Sequence, residues 1–383
     1  MRCDNRERIG PMRSWKGLLA LLLLALVAAA CNGGDAPEED TDDTETTEET
    51  TEEPAQETDT EEDAAADGAD VRAAMVTDVG GLGDQSFNDS AFAGLERAET
   101  ELGVEISVLE SASPTDYVGN LTQLAENGFS PIFAVGFLMT DAVAEVAPQF
   151  PDTEFAIIDS VVEEGNVASL TFEEHQGSYL AGVVAGLMTS EDTEYTNPDD
   201  QVVGFLGGLE GPLIQKFQAG YEAGVESVCP DCEILVQYAG TTPTAFEDPA
   251  AGQEISLSMN DSGADVIYHA SGATGAGLFE AAIDRNFFAI GVDSDQATIV
   301  PDAPILTSML KRVDNGVFQA VEDSVNGEFP AGTLTTYGLE DEGVDLASFG
   351  ELEALVPEEV TSAVDEARTG ITSGEIEVPS EPS

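Results

Sequence analysis

Residues 73–109 read AAMVTDVGGLGDQSFNDSAFAGLERAETELGVEISVL. The run 73–76 is continuously apolar, as a strand covered on both faces must be. It breaks at Asp78-Val79-Gly80-Gly81, where turn chemistry replaces the apolar run. Residues 90–102 then place apolar side chains at helical spacing, and 104–109 return to β-rich residues. Strand, loop, helix and strand at this spacing predict a parallel pair with a crossover helix. The pattern recurs outward from this stretch, with further strands expected at 131–135, 155–158, 202–206, 233–236, 265–268 and 288–292. Helices are expected at 140–147 and 217–228. The fold class is therefore α/β. Two units of similar length, 71–188 and 201–300, predict two lobes with a cleft between them. Many strands run into Gly- or Asp-bearing loops: Gly136-Phe137, Asp159-Ser160, Gly207-Gly208, Gly272 to Gly277 and Asp293-Ser294-Asp295. In doubly wound sheets ligands bind at those carboxyl ends.

The chain has 383 residues and a formal net charge of −64. Bulk attraction to nucleic acid or anionic lipid is excluded, because both carry the same sign. Residues 18–30 are thirteen apolar residues, too few to span a bilayer but suited to a signal-peptide core. Arg13 and Lys16 precede them, and Ala28-Ala29-Ala30-Cys31 closes the run. Small residues before a Cys match a bacterial lipoprotein signal, with Ala28 where a Leu is usual. The expectation is a signal peptide over 1–30 and lipidation at Cys31, with ordinary secretion as the alternative and Met12 as an alternative start. Residues 32–70 hold 18 acids and no base, which reads as a disordered, self-repelling linker that holds a body off a surface. The body, 71–383, still carries about −49, with only Lys216 and Lys311 as lysines. Charge on that scale, spread along the chain, suits a salty habitat in which ions screen self-repulsion.

Cys229-Pro-Asp-Cys232 is open to three readings outside the cytoplasm: a local disulfide, free thiols or a redox motif. His175 and His269 are the only histidines. No metal-binding His pair, nucleophile elbow or phosphate-binding loop is present. Gly272-Ala-Thr-Gly275-Ala-Gly277 reverses the dinucleotide spacing. No enzyme, cofactor or metal site is expected.

Asp78-Val-Gly-Gly-Leu-Gly-Asp84-Gln-Ser86-Phe87-Asn88-Asp89 resembles the opening strand and loop of the basic membrane protein (BMP) family, the substrate-binding lipoproteins of ABC importers. Ordered matches continue through 134–137, 150–159, 172–182, 211–221, 268–275, Gly291-Val-Asp293-Ser-Asp-Gln296 and 306–312, so the resemblance covers nearly all of residues 72–378. It implies a type I periplasmic binding protein: two Rossmann-like lobes with parallel sheets joined by a hinge. By this reading 71–383 is the binding domain, with lobe 1 over about 71–188, lobe 2 over about 189–305, and the C-terminal segment shared. It also implies an extracytoplasmic, lipid-anchored protein that partners an ABC permease with a cytoplasmic ATPase. A nucleoside, foremost a purine one, is the implied ligand.

The residues fit that chemistry. Phe87 and Phe217 resemble the stacking pair for a flat base. Asp293 and Lys311 look like the partners of a ribose diol. Asp78, Asn88 and Asp159 are candidates for the base edge, and Phe137 and Gly272 complete the candidate set. Structural roles compete with several of these. Asp78 suits capping of the following turn and Asn88 the N-cap of the next helix; Gly272 suits a tight strand-to-helix turn. The rival functions are the same fold with another small ligand, or a surface sensor or adhesin without transport.

Overall fold

The computed structural model describes residues 70–382. The expected signal segment, Cys31 and nearly all of the acidic linker lie outside the described residues. Two six-stranded sheets organise the chain. The first is built from β1 (Arg72–Val76), β2 (Glu105–Leu109), β3 (Ile132–Val135), β4 (Phe155–Ile158) and β5 (Val167–Phe172). The second takes β6 (Val202–Leu209), β7 (Glu233–Gly240), β8 (Ala264–Ala270), β9 (Phe288–Asp293) and β10 (Ile305–Lys311). Then β11 (Leu334–Tyr337) returns to the first sheet and β12 (Val344–Leu346) to the second.

The strand orders are β2-β1-β3-β4-β5-β11 and β7-β6-β8-β9-β10-β12, the same order twice. Every pairing is parallel except β10 with β12. In each sheet the chain winds one way from the first strand and then the other. That reversal opens a crevice at the carboxyl ends of the strands beside it. The central strands β1, β3, β4, β8 and β9 are apolar and almost wholly buried, the condition for helices on both faces.

The helices are α1 (Phe87–Leu102), α2 (Tyr117–Glu126), α3 (Thr140–Val146), α4 (Glu174–Met188) and α5 (Pro212–Val228). They continue as α6 (Pro249–Asp261), α7 (Ala276–Arg285), α8 (Gln296–Ile299), α9 (Val313–Val325) and α10 (Glu358–Thr372). Phe217 lies in the second turn of α5; it does not open that helix, because Pro212 supplies the first helical position, where its missing N–H is harmless. Cys229 and Cys232 form a disulfide just past the end of α5, with Cα atoms 5.4 Å apart.

Three connections pass between the lobes: β5 to α4, β10 to α9, and β11 to β12. After β5, α4 packs on α5 of lobe 2; after β10, α9 packs on α1 of lobe 1. The connections are tied to one another. Glu173 donates its N–H to Tyr337 (2.8 Å), Arg312 to Gly343 (2.9 Å), and Leu339 to Gln176 Oε1 (3.0 Å). All seven Lys and Arg side chains of 71–383 lie within 3.3 Å of a carboxylate, so among the described residues most of the acidic surface has no protein cation to offset it.

Candidate functional site

The nine candidate residues line one cavity between the lobes: Asp78, Phe87, Asn88, Phe137, Asp159, Phe217, Gly272, Asp293 and Lys311. It encloses about 560 Å³ of space not filled by protein atoms, part of it open to solvent. Lobe 1 contributes the ends of β1, β3 and β4 and the start of α1. Lobe 2 contributes α5 and the ends of β8, β9 and β10.

The lobe 1 wall begins with the loop after β1. Asp84, not Asn88, caps α1. Its carboxylate accepts the N–H groups of Ser86 (2.9 Å), Asn88 (2.8 Å) and Asp89 (3.1 Å). A carboxylate suits the positive end of a helix. Asn88 is thereby free to turn its amide to Asp78, donating from Nδ2 to Oδ1 at 2.9 Å. The Gly80 N–H also donates to Asp78 Oδ1 at 2.9 Å, so Asp78 is a turn cap as well as a wall residue. Its Oδ2 lies beside Gly136, whose φ of +115° and limited room suit only a glycine: a Cβ there would sit 3.3 Å from Asp78 Oδ2 and 3.4 Å from the Phe87 ring.

Asp159 and Asp293 follow or end β4 and β9, corresponding strands of the two sheets. Both have φ of +64°, a left-handed conformation that Asp tolerates better than most residues. Strain of this kind persists only where the surroundings hold it, and it concentrates at functional sites.

Lys311 ends β10 at the junction with the hinge and is 1% exposed. The resemblance sets it beside Asp293 as a partner of the ribose, and in the structure each of the two also has protein partners of its own. Its Nζ donates to Asp159 Oδ2 at 2.6 Å and lies 3.0 Å from Glu174 Oε1. Asp293 Oδ2 instead accepts from Ser86 Oγ of the opposite lobe. The cause is topological: the β10 end crosses toward lobe 1, where the end of β4 and the head of α4 meet it. The ammonium also faces three rings, with Nζ 5.2 Å from the centroid of Phe87, 5.1 Å from Phe172 and 5.5 Å from Phe217, within cation–π range.

Glu174 and Phe246 are wall or hinge residues that sequence reasoning missed. Glu174 is wholly buried and also meets Lys216 at 3.3 Å. The clue was available: Glu173-Glu174 head a helix that is apolar on every side, so it must be buried, and a buried charge needs a partner. Phe246 meets Phe137 edge to face across the cleft, with centroids 6.3 Å apart. No local signal marks it.

Burial sets the electrostatics. It pushes Asp293 up to about 7, against the pull of Lys311 and the Ser86 hydrogen bond. It raises Asp78 to about 6, opposed by Asn88 and Gly80, and Asp159 to about 6, opposed by Lys311. Burial also opposes the charge on Lys311, but Asp159, Glu174 and Asp293 outweigh it and hold the ammonium above its usual range. An unfolded Asp titrates near 3.9. Between about pH 4 and 7 the folded chain therefore holds protons that the unfolded chain has lost, so the stabilisation is full below about pH 4 and falls as pH rises. The melting temperature, measured in molar salt to screen surface repulsion, should rise between pH 8 and pH 5. The same scans at low salt should lie lower throughout. A melting temperature that falls on acidification to pH 5 contradicts the buried-carboxylate account.

The family model for PnrA-like ABC transporter substrate-binding proteins matches residues 71–382. The chain is 39% identical over 334 residues to the CD4+ T-cell-stimulating antigen of Listeria monocytogenes, covering 82% of this chain and 89% of that protein. It is 36% identical over 332 residues to the ABC transporter nucleoside-binding protein BmpA of Lactococcus lactis, covering 81% and 90%. Among solved structures, a solute-binding protein of an ABC transporter system from Aeropyrum pernix K1 superposes with a TM-score of 0.73 at 29% identity, covering 82% of this chain and 94% of that one.

Proposed function

The chain belongs to the PnrA-like family of ABC transporter substrate-binding proteins, and from that premise we propose that its cleft takes a nucleoside, with a purine nucleoside foremost. It is a binding protein for an importer, not an enzyme. The observation that carries the nucleoside reading is that two rings from opposite lobes, Phe87 on α1 and Phe217 on α5, line the same cavity as a set of buried carboxylates. Flat aromatic faces favour a stacked base. Ionised carboxylates accept only, so they favour a donor-rich ligand such as a ribose or the N–H edge of a base. A relative at 36% identity that is named for nucleoside binding supports the same reading.

Closure of the lobes on the base would make occupancy visible to a permease. Guanosine should bind in titration calorimetry and lower the radius of gyration in small-angle scattering. Absence of heat together with an unchanged radius at saturating guanosine rejects the reading.

The anchoring reading is that Cys31 is lipidated and residues 32–70 tether the body to the extracytoplasmic face of the membrane. Among the described residues no helix is long and apolar enough to cross a membrane. Loss of membrane partition on Cys31→Ser checks the anchor, and unchanged partition rejects it.

A further inference from the structure

We infer that Gln296, which has no place in the cavity wall, is a positioning residue: it latches the Gln85–Phe87 segment of lobe 1 onto lobe 2 and so holds the Phe87 ring over the cleft. The proposal rests on the lobe arrangement, and its ligand arm rests on the nucleoside reading.

Gln296 begins α8, directly after the loop that follows Asp293, and is 1% exposed. Its amide orientation is dictated by its neighbours. The Val292 N–H points at Oε1 (2.8 Å), so that atom must be the carbonyl oxygen. His269 Nε2 meets the same oxygen at 3.0 Å and must therefore carry its proton there. His269 Nδ1 is left to accept from Ser271 Oγ at 3.2 Å. Burial holds this imidazole neutral, pushing it down to about 4. With Oε1 fixed, the Gln296 NH2 can point one way only, and it donates to the Gln85 carbonyl across the lobe boundary at 2.9 Å.

Two further observations show that this contact is built in. Gly291 leaves the space that the side chain occupies: a Cβ there would lie 2.7 Å from Gln296 Oε1. Gln85 has φ of +55°, an unfavourable backbone for a residue with a side chain. That backbone is held at both ends, by Asp89 Oδ2 accepting its N–H (2.9 Å) and by Gln296 donating to its carbonyl. The next residue, Ser86, makes the second cross-lobe bond, to Asp293. The one after that is Phe87. Ser271, at the far end of the network, lines the cavity, so the chain of bonds runs from the cavity wall through His269 and Gln296 to the opposite lobe. A latch formed only when the lobes meet slows opening and leaves entry unchanged.

Gln296→Glu separates this role from bracing within lobe 2. Assayed above about pH 8, beyond the range to which burial lifts the neighbouring carboxylates, it keeps an acceptor for Val292 and His269 and replaces only the NH2 that serves Gln85, setting an ionised oxygen against the carbonyl. The variant should release guanosine about tenfold faster, with an association rate within about threefold of wild type, the pattern of a changed residence time. A merely structural role predicts a lower melting temperature with unchanged rates, and that result, or equal loss of both rates, overturns the latch. Scattering at saturating guanosine reads the closed state directly: Gln296→Glu should have a larger radius of gyration than wild type, and equal radii overturn the latch. Failure of wild type to bind guanosine falls on the nucleoside reading, whereas wild-type binding with unchanged release in Gln296→Glu falls on the latch.

Discussion

Replacing Lys311 with Met should destabilise the body by about 3–5 kcal/mol, the range for removing one partner of a buried ion pair. The side chain is 1% exposed and serves two carboxylates that are nearly or wholly out of water, Asp159 and Glu174. Without the ammonium, Asp159 has no cation within salt-bridge distance among the described residues, and Glu174 keeps among them only Lys216, at 3.3 Å. Each must then take up a proton or remain charged in a dry site, and either outcome raises the free energy of the folded state. Adding Asp159→Asn and Glu174→Gln to the Met variant removes the stranded charges and should recover a large part of the loss. Denaturant unfolding of the three proteins measures both effects. A loss below about 1 kcal/mol for Lys311→Met, in the range of an exposed pair, would show that water reaches the cluster and that its burial has been misread.

The second large effect concerns Asp293 and the ribose. A buried carboxylate at the end of β9 can accept two hydroxyl hydrogen bonds, each worth about 1.5–3 kcal/mol when charge-assisted. Asp293→Ala should therefore weaken guanosine binding at least about a hundredfold, at about 1.4 kcal/mol per decade. Guanine, which lacks the ribose, should hardly respond. The bond from Ser86 to Asp293 offers a competing account in which the carboxylate only joins the lobes. That account predicts equal losses for nucleoside and base, and the same losses in Ser86→Ala, which keeps the carboxylate and removes its partner. Calorimetry with both ligands on both variants separates the two accounts. Guanosine affinity within threefold of wild type in Asp293→Ala would remove the residue from the site.

Sequence reasoning reached far here because the informative patterns are local. Continuous apolar runs at 132–135, 155–158 and 288–292 specify strands buried on both faces, and Asp and Gly placed directly after them mark the ends where a ligand can sit. Two of the candidate residues stand out for the same reason, Asp159 and Asp293, which each break an apolar run with a charge that has no place in a core, whereas Phe87, Phe217 and Lys311 are named by the resemblance to the family. Four strands escaped this reading. In β5 (VASLTF) and β10 (ILTSMLK) polar residues interrupt the apolar run, while β11 and β12 are short. These strands border the three lobe crossings, so the hinge was the least legible part of the fold.

The sequence by itself determined the α/β class, the repeat of one winding pattern in two units, and the positions at which side chains emerge from strand ends. Each follows from periodicity and turn chemistry within a few residues of chain. Only the tertiary structure decided which of those side chains meet. Lys311 pairs with Asp159, 152 positions away, Ser86 with Asp293, 207 away, and Gln296 with the carbonyl of Gln85, 211 away. Such partners are chosen by how two separately wound sheets are set against each other. No local pattern encodes that geometry, because the free energy that fixes it comes from packing and desolvation spread over both lobes.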